Sequence, residues 1–87
     1  NTNLIAKLIS PKSKIQLSIF SNQPGVQFYT GQHLNYSSKY KKLKAYQGLC
    51  LETQNFPNSP NNKKFPSSLI QTSKNYIHNI KFKINDI

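Results

Sequence analysis

Apolar and polar residues alternate along several stretches of the chain, and the alternation has the period of a β-strand. In residues 14–21, Ile15, Leu17 and Ile19 fall on one side and Lys14, Gln16 and Ser18 on the other, the pattern of a half-buried strand. Residues 4–9 form a shorter mixed apolar run that stops at Ser10-Pro11, a turn signal, so the two stretches predict a hairpin. Residues 26–30 are β-branched and aromatic, with Val26, Phe28 and Thr30 on one face and Gln27 and Tyr29 on the other. In residues 48–54, Leu49, Leu51 and Thr53 point one way and Cys50, Glu52 and Gln54 the other. Residues 76–84 alternate Tyr76, His78, Ile80, Phe82 and Ile84 with Ile77, Asn79, Lys81 and Lys83, which predicts a sheet strand with one wet face.

Turn signals separate these runs. Asn22-Gln23-Pro24-Gly25 has Pro and Gly in the order of a type II turn, with Gly25 expected at positive φ. Residues 55–62 are dense in Asn, Pro and Ser and read as a loop that closes at Phe65-Pro66. Residues 32–47 show no clean period; Lys39, Lys41, Lys42 and Lys44 are interleaved with Tyr36, Tyr40 and Tyr46. That mixture suits either a stacking platform for single-stranded nucleic acid or a solvated surface loop, and the loop is the preferred reading. No stretch has a useful helical period and no segment repeats, so the expected class is all-β, with about five or six strands. Long loops between so few strands leave sheet edges exposed, which points to partner strands outside these residues. The absence of Met at position 1 points the same way.

With 87 residues the chain allows at most one small domain, and a domain of that size buries only about 60–65% of its unfolded surface. Small domains commonly rely on a disulfide or a metal. Cys50 is the single cysteine, and with His33 and His78 it makes no zinc-binding pattern, so no metal site is expected. Cys50 itself is expected to be a small core residue. No apolar run approaches the roughly 18–20 residues of a membrane span and no signal-peptide pattern is present, so a cytoplasmic protein without membrane contact is expected. The formal net charge of +10 invites a nucleic-acid reading, but all twelve basic residues are lysines, and Arg is the preferred bidentate reader of phosphate and guanine. The chain is also rich in Asn, Ile and Lys, the residues of A/T-rich codons, so no nucleic-acid partner is expected.

Charge singles out one residue. Glu52 and Asp86 are the two acidic residues, and Asp86 stands beside the C-terminus, where chains fray. A carboxylate inside an apolar strand is costly unless it is paired or used, so Glu52 is either held by a lysine or available for chemistry. If residues 26–30 and 48–54 lie in one sheet, Gln27, Tyr29, Glu52 and Gln54 share a face that is polar and nearly free of charge. The uncharged polar face of Gln27 and Tyr29 is by itself suited to hydrogen-bonding a neutral polyol. A glycosidase would need two carboxylates flanking the bond, and only Glu52 is suitably placed.

Gln23-Pro24-Gly25-Val26-Gln27-Phe28-Tyr29-Thr30-Gly31, Cys50-Leu51-Glu52-Thr53-Gln54-Asn55-Phe56-Pro57-Asn58-Ser59-Pro60-Asn61 and Phe65-Pro66 together resemble the C-terminal portion of the aldose 1-epimerase (galactose mutarotase) family. The three motifs occur in order over nearly the whole chain. The resemblance implies a large antiparallel β-sandwich of the supersandwich type, with residues 1–87 as roughly its last quarter to third. It implies an isomerase that interconverts the α and β anomers of free hexoses such as galactose and glucose through ring opening. Glu52 is then the general base on the anomeric hydroxyl and Gln27 a substrate-binding residue. A general-acid His lies upstream of these residues, the partner is a small sugar, and no cofactor is needed. On this reading the isolated 87 residues are inactive. The chain departs from the family at His33, where Asn usually follows Thr-Gly, at Asn58 in place of a common Asp, and at Thr72–Asn75, which lacks a Pro-Gly-Glu turn. Neither His33 nor His78 matches a catalytic position; His33 is expected in a loop and His78 as a satisfied core or rim histidine. Tyr29 is expected to pack. The alternative is a non-catalytic carbohydrate-binding homologue without the acid His.

Overall fold

The computed structural model describes residues 1–87. Seven strands and one short 3-10 turn make up its regular structure: β1 (Asn3–Ser10), β2 (Ile15–Ser21), β3 (Gly25–Tyr29), β4 (Tyr36–Ser37), β5 (Lys42–Leu43), β6 (Cys50–Gln54) and β7 (Ile80–Asp86), with the turn at Ser59–Asn61. The strands form three antiparallel sheets, β1-β2-β7, β3-β6 and β4-β5. The chain is therefore all-β, as an all-β portion of an antiparallel sandwich should be.

The expected hairpin is β1–β2. Pro11 stops β1, Lys14 takes the left-handed conformation (φ 58°), and its N–H donates to the Ser10 carbonyl at 2.8 Å, closing the turn. Pairing of Ile19 with Ala6 and Phe82, and of Leu17 with Leu8 and Ile84, gathers these side chains on one face of the three-stranded sheet. Lys7, Gln16, Ser18, Lys81 and Lys83 fall on the other face, where the Lys81 ammonium sits 4.6 Å from the centre of the Phe20 ring. The apolar face is covered at Ile19 and open toward β7. Ile19 is the one buried hydrophobic residue, at 1% exposure, while Phe82 is 57% exposed.

β7 starts later than the alternation of residues 76–84 predicts. The Asn22 side chain supplies the reason: its Nδ2 donates to the Ile77 carbonyl at 2.8 Å and its Oδ1 accepts from the Asn79 N–H at 2.9 Å. One amide side chain thus occupies the place of a neighbouring strand, and regular pairing begins only at Ile80. Both faces of β7 are exposed, so the expected contrast between one dry and one wet face is not developed in this chain.

Two glycines serve ends that differ from each other. Gly25 is not at positive φ; it opens β3, and a Cβ there would meet the Phe56 ring at 2.8 Å. Space for Phe56 is what it provides, rather than the turn conformation expected of it. Phe56 in turn packs against Phe65 at 5.0 Å between centroids, and the Ser59 hydroxyl donates to the Pro66 carbonyl at 2.6 Å, which closes the loop after β6. Gly31 does have positive φ (80°), and an added Cβ would collide with the Gly48 carbonyl oxygen. The Gly31 carbonyl accepts from the Leu34 and Tyr46 N–H groups at 3.1 and 2.9 Å, so the lysine-rich loop is drawn together at its neck. Within that loop β4 and β5 pair Tyr36 with Leu43 and Ser37 with Lys42. Strands of two residues leave no period to detect in the sequence.

Candidate active site

The β3–β6 ladder pairs Gly25 with Gln54, Val26 with Thr53, Gln27 with Glu52, Phe28 with Leu51 and Tyr29 with Cys50. Residues directly opposite in an antiparallel pair share a face, with Cβ atoms about 4.5–5.5 Å apart. Gln27 and Glu52 are therefore side-by-side neighbours, and Tyr29, Cys50 and Gln54 flank them on the same face. This is the constellation expected from the two alternations.

Glu52 is exposed, and its carboxylate enters none of the chain's hydrogen bonds or ion pairs. No lysine holds it. The Gln27 amide makes one long contact, Nε2 donating to the Phe28 carbonyl at 3.5 Å, and is otherwise free to donate and accept. A carboxylate that can take a proton thus stands beside an amide that can bind a hydroxyl of either polarity.

Tyr29 is half-buried, and its hydroxyl accepts from the His33 N–H at 2.8 Å. It anchors the start of the lysine-rich loop, in keeping with a packing role. His33 lies in that loop, its ring nitrogen Nε2 3.2 Å from the Gln32 amide nitrogen. Cys50 corrects an expectation: it is exposed rather than buried, because its position opposite Tyr29 puts it on the open face of a two-stranded sheet.

The reverse face of the ladder carries Val26, Phe28, Leu51 and Thr53. Thr53 is only 7% exposed, and its Oγ1 lies 2.7 Å from His78 Nε2. The other ring nitrogen of His78 lies 3.4 Å from the Tyr76 hydroxyl, which donates to Gln23 Oε1 at 3.5 Å. His78 is thus a rim histidine with both nitrogens engaged, on the side away from Glu52. Thr53 was legible only as a neighbour of Leu49 and Leu51 in the alternation; a contact across 25 residues leaves no local signal.

A cavity of about 630 Å³ lies elsewhere, between the 3-10 turn and residues 65–70, and neither Glu52 nor Gln27 lines it. No group of three or more His, Cys, Asp and Glu side chains is placed to hold a metal ion. No helix is long and apolar enough to cross a membrane.

The family model described as aldose 1-epimerase matches residues 1–83. The chain is 44% identical over 72 residues to galactose mutarotase of Mus musculus, covering 79% of this chain and 21% of that protein. Galactose mutarotase of Homo sapiens is 42% identical over 72 residues, with the same coverage of 79% and 21%. Aldose 1-epimerase of Escherichia coli (strain K12) is 35% identical over 63 residues, covering 70% of this chain and 18% of its own. No solved structure matches the chain. The chain spans 21% of the length of the mouse and human relatives. The chain belongs to the aldose 1-epimerase family.

Proposed function

We propose that these residues form the C-terminal part of a single β-sandwich domain in a cytoplasmic aldose 1-epimerase, and that they carry the base half of its active site. The observation that supports this reading most strongly is the pairing of Gln27 with Glu52 on an open polar face, with no lysine neutralising the carboxylate. The activity of the relatives named galactose mutarotase and aldose 1-epimerase supplies the reaction class.

On this reading the substrate is a free hexose such as galactose or glucose. Glu52 takes the proton of the anomeric hydroxyl as the bond from C1 to the ring oxygen breaks, and a His supplied from upstream protonates that oxygen. The open-chain aldehyde then recloses on either face with the proton transfers reversed. Gln27 holds a neighbouring hydroxyl and keeps the sugar aligned with the carboxylate. Positioned acid and base groups each contribute about 10²–10⁴ in rate, and the steps use proton transfer alone. The exposed apolar side chains of Phe82 and Ile84 on β7 fit packing against further strands of the same domain. The isolated 87 residues, without the acid, are expected to leave the spontaneous mutarotation rate unchanged in polarimetry. In the full-length protein, an undiminished rate with Glu52→Gln would remove the base assignment.

A further inference from the structure

Residues 76–79 strap the two larger sheets together. Asn22 bonds to Ile77 and Asn79 as described, and the Ser21 hydroxyl donates to the Asn79 carbonyl at 2.7 Å while accepting from the Gln23 N–H at 3.1 Å. These contacts hold the strap to the end of β2 and the turn before β3. The 2.7 Å contact between His78 and Thr53 is the one that reaches β6. Tyr76 stands edge-on to the imidazole, 84° between the ring planes and 6.3 Å between centroids, and orients it from the side opposite Thr53.

Thr53 adjoins Glu52 in sequence and points to the opposite face. Thr53 is 7% exposed with the imidazole in place, and the contact with His78 ties this position of β6 to the strap, an anchor that β6 loses without it. Any shift of β6 at Thr53 moves Glu52 with it, because the two residues are adjacent in that strand.

We propose that His78 is a positioning residue for Glu52: acting through Thr53 from the reverse side of β6, it fixes the carboxylate where it meets the anomeric hydroxyl. The proposal rests on the reading of Glu52 as the base. The test is steady-state mutarotation by the full-length protein carrying His78→Ala, Thr53→Val, both together, or His78→Gln, with a thermal melt of each. His78→Ala and Thr53→Val are each expected to lower kcat about ten- to hundredfold, the scale of a displaced catalytic group, with KM within about twofold. The double variant should be no worse than the more affected single variant, since both remove one contact. His78→Gln, whose amide can still reach the Thr53 hydroxyl, should recover most of kcat; loss of a merely structural contact would not split kcat from KM in this way.

Wild-type kcat in folded His78→Ala, or losses that multiply in the double variant, would overturn the proposal. If His78→Ala does not fold, the near-isosteric Thr53→Val decides the matter by the same criteria. Glu52→Gln separates the two levels. Full activity in that variant removes the base reading and this inference together, whereas an inactive Glu52→Gln beside a fully active His78→Ala removes this inference alone.

Discussion

Gln27 and Glu52 face each other across the β3–β6 ladder, one uncharged amide beside one unpaired carboxylate. The pairing places a hydrogen-bonding group and a proton acceptor one strand spacing apart, a separation that adjacent hydroxyls of one sugar ring can bridge. Gln27→Ala is expected to raise KM about two- to tenfold, the worth of a lost hydrogen bond, with a smaller change in kcat. Gln27→Glu should be more damaging than Gln27→Ala, because like charges directly opposite repel and the new carboxylate competes for the same hydroxyl. Polarimetric kinetics of the two variants in the full-length protein check both statements.

The neck of the lysine-rich loop makes a separate prediction about stability. Gly31→Ala forces a side chain into the left-handed region and against the Gly48 carbonyl, and should cost about 1–3 kcal/mol or more. Gly48→Ala should be milder, since its Cβ would meet only the flexible end of the Leu34 side chain, at 3.3 Å. Thermal melts of the two variants should rank them in that order.

Asn22 is expected to act as a substitute strand. Asn22→Ala removes the acceptor of the Asn79 N–H and the donor to Ile77, so amide exchange at Asn79 should accelerate while amides within the β1–β2 ladder keep their protection. Hydrogen exchange read residue by residue distinguishes this from a general loosening of the sheet.

The parts of the fold that were legible in the sequence are those in which period and register coincide. Ile15, Leu17 and Ile19 alternate over a full strand, and Gln27 and Glu52 each sit at a position of their strand that the pleat turns to the same side. Antiparallel pairing of the two runs then suffices to bring them together. What escaped was decided by contacts distant in sequence. The start of β7 depends on Asn22, more than fifty residues away. Gly25 resembles a turn glycine but is required for room beside Phe56, and Cys50 resembles a core residue but lies on a face that this chain does not cover. The bond between Thr53 and His78 is of the same kind: neither residue signals the other, and His78, which the alternation of residues 76–84 put on a strand face, lies before β7 begins.

Whether Glu52 is the base is decided by mutarotation of the full-length protein carrying Glu52→Gln. The substitution keeps size and hydrogen-bonding capacity while removing the proton acceptor. The expected result is a fall in kcat of about 10²–10⁴-fold with KM changed by only a few-fold, in a protein whose melting temperature is close to that of the wild type. A kcat within twofold of the wild type would rule out Glu52 as the base.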